Sequence, residues 1–447
     1  MSEREGISAL WKKEDWWAVW LGLGIIACAI VFFFAGGTLR PLAVSPPKEW
    51  TTFSEITTHL AEKWTWYFLL FLVFGAIFTF STSVMGHKAK HYVPGFLLIY
   101  LVSVLILLVS QSEFFHRHSL EAPLVALIVG LLVGNFARLP GWLDSSLRTE
   151  YYIKTGIVLL GATLPLTLII TAGPIAFLQA TIVSLCTWLV MFFVATRVFH
   201  LDKRFGAVLG AGGAVCGVTA SIAVGGAVKA SKEHVAISIS IVSLWALVMI
   251  FVLPLASNAL GLHPGVAGAW IGTSEFADAA GYAAAQTIAS ASGNEAAIHA
   301  FTLMKVIGRD IWIGIWALAL SIISVTYWER GAEAAGRTLG VGVIWARFPK
   351  FVIGFFLASV IMSIVVMASS ADYAADLEPR LIAPIKTLRT WTFVFTFLCI
   401  GLTTRFRELA KFGMPPFWAF TVGVAINVPL GYFLSTVVFR EYWIALQ

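Results

Sequence analysis

Apolar runs long enough to cross a bilayer follow one another along the whole of this 447-residue chain, joined by short polar stretches. In lipid only a helix or a closed barrel satisfies every backbone polar group, and a helix needs ~20 apolar residues to cross. The runs fall at 16–35, 64–84, 93–112, 122–136, 151–171, 174–197, 205–229, 235–257, 265–291, 298–326, 348–368, 385–404 and 414–438. They predict an all-α polytopic membrane protein with about 11–13 transmembrane segments and no separate soluble domain. A mean hydropathy of +0.86, with 59% hydrophobic and 12% charged residues, lies outside what a soluble domain shows. The first run, "WWAVWLGLGIIACAIVFFFAGG" from Trp16, exceeds a signal-peptide core of ~7–15 residues and lacks a small-x-small cleavage site, so it reads as a retained helix.

The four cysteines, Cys28, Cys186, Cys216 and Cys399, are scattered through apolar segments without CxxC spacing, so neither disulfides nor a metal cluster are expected. A net charge of +6 is spread over loop ends, which suits a lipid bilayer rather than nucleic acid. "GHKAKH", "RVFHLDKR", "ERGAEAAGR" and "RFRELAK" carry the Lys and Arg expected of cytoplasmic joints, whereas "SNALGLHP" and "ASSADYAADLEP" suit the outside. This pattern expects a cytoplasmic N-terminus. His87, His91, His116 and His118 read as solvated loop residues.

Two segments, 205–229 and 265–291, are rich in Gly, Ala and Ser and poor in large apolar residues. In "GAGGAVCGVTASIAVGGAVKA", Gly210, Gly212, Gly213 and Gly217 surround Cys216, and a half-helix starting near Val218 would aim free N–H groups and its positive end at a cavity. Thr219 and Ser221 would add hydroxyls, making a site for an anion. Close packing of a continuous small-residue helix is the alternative. Either a re-entrant hairpin or a crossing broken helix fits each segment, since Lys229 and Lys232 prefer the side on which the first one began.

"GAWIGTSEFADAAGYAAAQTIAS" holds Gly272, Thr273 and Ser274, followed by Glu275 and Asp278, three residues apart and so on one face of a helix. Carboxylates within a membrane serve proton or cation relays, unless this segment ends in water. "FTLMKVIGRDIWIG" sets Lys305 and Arg309 on one face with Asp310 adjacent. They read as a charged pocket whose guanidinium fork fits an oxyanion, as a structural ion-pair network, or as cations snorkelling to the interface. No G-x-S-x-G, HExxH or GxxxxGK[ST] motif is present, so neither an enzyme nor a cofactor is expected. "GIVLLGATLPL" and "TFLCIGLTTRF" rhyme as a duplication would, or as packing glycines do.

"IVLLGATLPL", "GAVCGVTASIAVGGAVKA", "GAWIGTS", Lys305 with Arg309 and "CIGLTTRFRELAKFG" together resemble the YeiH-like sulfate exporter family of bacterial membrane proteins, from Val93 to Gln447. The resemblance sets residues 1–92 apart as an extension with two extra helices and 93–447 as a transporter core. It is similar, more distantly, to the cation/proton antiporter and anion transporter group, which implies inverted repeats with two interrupted helices. By resemblance the site comprises Cys216, Gly217, Gly272, Thr273, Ser274, Lys305 and Arg309. The chain departs from the family at Glu275, Phe276 and Ala277, where a His-acid pair is usual, and in the spacing of its basic pair. The expectation is a secondary transporter of the bacterial inner membrane that exports a small oxyanion such as sulfate, sulfite or a short sulfonate. Coupling would run through Glu275, Asp278 and Asp310, and a homodimer is the default assembly. A cation/proton antiporter, or an intramembrane enzyme using Cys216, are the alternatives.

Overall fold

The computed structural model describes residues 8–47, 49–117, 122–164, 166–328, 349–369, 376–405 and 413–446. The joint "ERGAEAAGR", His118, all but the first residue of "RFRELAK" and half of "ASSADYAADLEP" lie outside the described residues. The rest is helical, with no strand among the described residues. In chain order the principal helices are α1 Glu14–Phe34, α2 Phe53–Val84, α3 Ala89–Ser110, α4 Ala122–Phe136, α5 Thr149–Gly161, α6 Leu166–Phe193, α7 Lys203–Ala214, α8 Val218–Ala227 and α9 Lys232–Ala259. There follow α10 Pro264–Ser274, α11 Asp278–Ser292, α12 Ala296–Thr302, α13 Trp312–Ile323, α14 Lys350–Ala368, α15 Ala383–Thr403 and α16 Met414–Phe433. Among the described residues eight helical stretches are long and apolar enough to span a membrane. The chain is thus a polytopic membrane protein.

Local chemistry sets the ends. Thr52 and Glu55 form a reciprocal capping box that starts α2 eleven residues before the apolar run at 64. Asp202 accepts from the N–H groups of Arg204 and Phe205 to start α7, and Ser231 from that of His234 to start α9. One expected boundary moves. The runs 151–171 and 174–197 divide at Pro174, but α6 passes through Pro174 without a stop, and the interruption falls between Gly161 and Leu166. Proline is tolerated within membrane helices because neighbours re-satisfy the freed carbonyl, so it marks no end here.

The chain falls into two compact units. The N-terminal unit holds residues 6–167 and 350–405. Its closest packing joins α4 to α15, where a Cβ on Gly130 would lie 2.6 Å from the Leu398 carbonyl oxygen and one on Gly401 2.5 Å from that of Leu127. Such contact between backbones gives dispersion energy that lipid cannot replace. Helix α1 packs on α5 and α14 through Gly22 and Gly354, which both meet Val158. Two ion pairs pin it there, Asp15 to Lys154 at 2.7 Å and Glu14 to Arg148. The hairpin unit holds residues 168–349 and 406–447, and contains both glycine-rich segments.

Candidate functional site

The first glycine-rich segment turns back on itself. Helix α7 ends at Ala214, Val215 adopts φ −122° and ψ −107°, Gly217 takes φ 69°, and α8 begins at Val218. A side chain is rarely tolerated at that φ, so glycine at 217 is what permits the turn. The arms then run antiparallel. A Cβ on Gly212 would sit 2.7 Å from Ser221 Oγ, one on Gly225 3.7 Å from Val208, and Arg204 donates to the Lys229 carbonyl at 3.3 Å. The segment is therefore a re-entrant hairpin, and Lys229 returns to the end where Arg204 began. Gly210, Gly212 and Gly213 remain helical and make room for Trp188, Ser221 and Met191.

The second segment folds in the same way. Helix α10 ends at Ser274, Glu275 and Ala277 are extended, and α11 starts at Asp278. Gly272 on one arm and Gly281 on the other both lie against Phe301. This corrects the sequence reading of Glu275 and Asp278 as neighbours on one helical face. The first caps α10 and the second opens α11, because the backbone leaves the helix between them. The two tips touch: a Cβ on Gly217 would lie 2.6 Å from the Phe276 carbonyl oxygen.

Lys305 and Arg309 meet both tips. They belong to a stretch of π-helix, Leu303–Arg309, inserted between α12 and α13, and both side chains are fully buried. Single π turns within helices recur at functional sites because they re-aim side chains. Lys305 Nζ donates to the carbonyls of Val215 at 3.0 Å and Glu275 at 2.9 Å. Arg309 donates to Ala214 and Gly213 on the first hairpin at 3.1 and 3.0 Å, and to Gly272, Thr273 and Glu275 on the second at 3.3, 2.8 and 2.9 Å. The carbonyls ending α7 and α10 carry the negative ends of two helix dipoles, and the two cations neutralise them. Snorkelling to the interface is thus ruled out. The guanidinium expected to hold an oxyanion is committed instead to backbone carbonyls.

The acids gather at the same place. Glu275 is fully buried, and its Oε1 accepts from the N–H groups of Phe276 at 2.8 Å and Ala277 at 3.1 Å. Its Oε2 is buried without a hydrogen-bond partner among the described residues. Asp278 lies 3.6 Å from Lys305 Nζ, and Asp310 is fully buried. Cys216, Asp278 and Asp310 each bring one ligand atom within 4.8 Å of the others, a set that could hold a cation. The sequence pointed to no metal cluster because these three lie far apart in the chain. Glu275, Asp278 and Asp310 face Lys305 and Arg309, so acids outnumber bases in a buried site. A proton or a bound cation would restore neutrality.

Other expected site residues point elsewhere. The Ser221 hydroxyl lies 3.0 Å from that of Ser238, within the packing of the hairpin. Thr273 donates to its own helix at Trp270, and Thr273 and Ser274 pack on Gly431 of α16. Val218 and Thr219, in the first turn of α8, are partly exposed at the tip, beside the buried Cys216. Sequence reasoning missed Phe276 and the carbonyls of Gly213, Ala214 and Val215. The only signal for them was the placement of two glycine-rich stretches ahead of one basic pair.

The model of the family described as Conserved hypothetical protein 698 matches residues 94–419. The chain belongs to that family. It is 32% identical to a UPF0324 membrane protein of Rhodopirellula baltica over 90% of this chain and 72% of the relative. It is 30% identical to one of Nitrosomonas europaea over 91% of both chains. A UPF0324 membrane protein of Nitratidesulfovibrio vulgaris is 32% identical over 83% of this chain and 64% of the relative. The family match begins at residue 94, beside the Val93 limit of the sequence resemblance, while the matches to these relatives take in more of the N-terminal part. No solved structure matches the chain.

Proposed function

We propose that this protein is a secondary active transporter of a small oxyanion such as sulfate, sulfite or a short sulfonate, working outward across the bacterial inner membrane with its N-terminus in the cytoplasm. The observation that carries the reading is the meeting of two re-entrant hairpin tips, Gly217 on Phe276, around a buried Lys305 and Arg309. Irregular backbone at membrane depth persists where it borders a cavity, and paired interrupted elements are how secondary transporters build a substrate site. The fold-back of both segments also fits inverted repeats.

With Arg309 held by carbonyls, the anion contact passes to the first-turn N–H groups of α8 at Val218 and Thr219, where the positive end of the helix lies. Glu275, Asp278 and Asp310 supply proton coupling, since a carboxylate within a membrane gains or loses a proton at modest cost compared with crossing charged. The reading assigns the chain no catalytic step and no cofactor, and a homodimer is its default assembly. A second reading, a cation/proton antiporter, draws on the excess of acids and on the cluster of Cys216, Asp278 and Asp310. Counterflow in proteoliposomes separates the two. Radiolabelled sulfate accumulating into vesicles preloaded with sulfate or sulfite supports oxyanion transport. Sodium-dependent proton flux without oxyanion counterflow would replace it with the antiporter.

A further inference from the structure

One buried basic side chain of the N-terminal unit has no counter-charge among the described residues. Arg389 stands near the middle of the 26-residue span Glu378–Thr403 and is only 5% exposed. Its single hydrogen bond among the described residues runs from Nη1 to Thr163 Oγ1 at 2.9 Å, and Nε is buried without a partner. No described carboxylate lies within ion-pair distance of it, whereas Arg148, Lys154, Arg380 and Lys386 of the same unit each face one. A guanidinium does not give up its proton in a protein, and a buried charge left uncompensated is costly. Helical proteins in lipid therefore place such a group where a counter-charge arrives.

Thr163 lies in the interruption between α5 and α6, spends its own proton on the Leu160 carbonyl at 2.9 Å, and accepts from Arg389 Nη1, which orients the guanidinium and leaves Nε without a partner. We propose that the Arg389 guanidinium, held in place by Thr163, forms an anion-binding position in the N-terminal unit, which takes a free oxyanion of sulfate size through its open donors. Arg389 lies well inside the continuous helical span Glu378–Thr403, roughly 15 Å along it from Glu378 and about 20 Å from Thr403 at ~1.5 Å per residue, too deep for a phospholipid headgroup. The position is distinct from the hairpin tips and does not depend on transport.

The test uses the full-length protein in detergent, with selenate as probe. Selenate-soaked crystals should show anomalous density in contact with the Arg389 guanidinium. Equilibrium dialysis with radiolabelled sulfate at constant ionic strength should find binding in Gly217→Val, whose hairpin site is closed, and at least tenfold weaker binding once Arg389→Gln is added. Thr163→Val, a mild change that keeps the helix breaks, should weaken binding severalfold on its own and serves where the double variant does not fold. Absent density at Arg389, or sulfate affinity unchanged in Arg389→Gln or in Thr163→Val, overturns the proposal. Loss of counterflow with this binding intact would instead overturn the transport reading alone.

Discussion

Replacing Arg309 by methionine, which keeps the length of the side chain and removes its donors, should unfasten both hairpins. Five hydrogen bonds from Arg309 hold carbonyls of Gly213, Ala214, Gly272, Thr273 and Glu275. Glu275 keeps Lys305 as a second donor. A hydrogen bond to a charged group contributes ~1.5–3 kcal/mol, while the buried guanidinium itself was costly to desolvate. Crediting three of the five at the lower value gives a loss of about 4–5 kcal/mol, in the range seen when one partner of a buried charged contact is removed. At ~2–4 °C per kcal/mol for a unit of this size, the melting transition of the purified protein should fall by roughly 10 °C. Tryptophan fluorescence follows it, since Trp188 and Trp316 pack in the same core as Ala214 and Cys216. Arg309→Lys should lose less, because one cation can still neutralise the helix ends without spanning all five carbonyls. A methionine variant melting within ~2 °C of the wild type would refute the view that the guanidinium fastens the tips.

Gly217→Val should lower stability by ~1–3 kcal/mol from backbone strain alone and, in an Arg389→Gln background that removes the second anion position, abolish the thermal shift given by sulfate; a shift as large as that of Arg389→Gln alone in the folded double variant would contradict the hairpin site. Single cysteines at Arg204 and Lys229 should react with an impermeant maleimide from one face of the membrane, and those at Gly261 and Asn294 from the other. Reaction of Arg204 and Lys229 positions from opposite faces would mean that the first segment crosses. Glu275→Gln, which retains an acceptor for the N–H groups of Phe276 and Ala277, should leave sulfate binding but flatten the dependence of transport on the proton gradient. Equal gradient dependence in that variant would remove Glu275 from coupling.

The start of α8 at Val218 could be read in the sequence, because Gly217 beside Cys216 is where a membrane helix can leave its geometry. Lys305 and Arg309 were legible as a pair that must be compensated within the membrane for a similar reason, since two cations within an apolar run need partners. Their partners were not legible. The carbonyls they hold lie 30 to 96 residues away on two separate hairpins, and a carbonyl has no sequence signature. Charge left the fold-back undecided, because Lys229 and Lys232 bear on the end of one segment only. It took the approach of Ser221 to Gly212 to fix the direction of the second arm. Pro174 misled in the opposite sense, as a break signal within a helix that continues. Arg389 went unnoticed because an arginine three residues after Lys386 looks like the end of a span until its helix is seen to continue on both sides.

The central claim is that the hairpin tips border a site opened to each side of the membrane in turn. A single cysteine at Thr219, in a protein whose own four cysteines are replaced by serine, tests it most directly. In right-side-out and in inside-out vesicles an impermeant methanethiosulfonate reagent should modify this position from both faces, and sulfate should slow the reaction from each. Modification from one face only, at a rate indifferent to sulfate, would contradict the account.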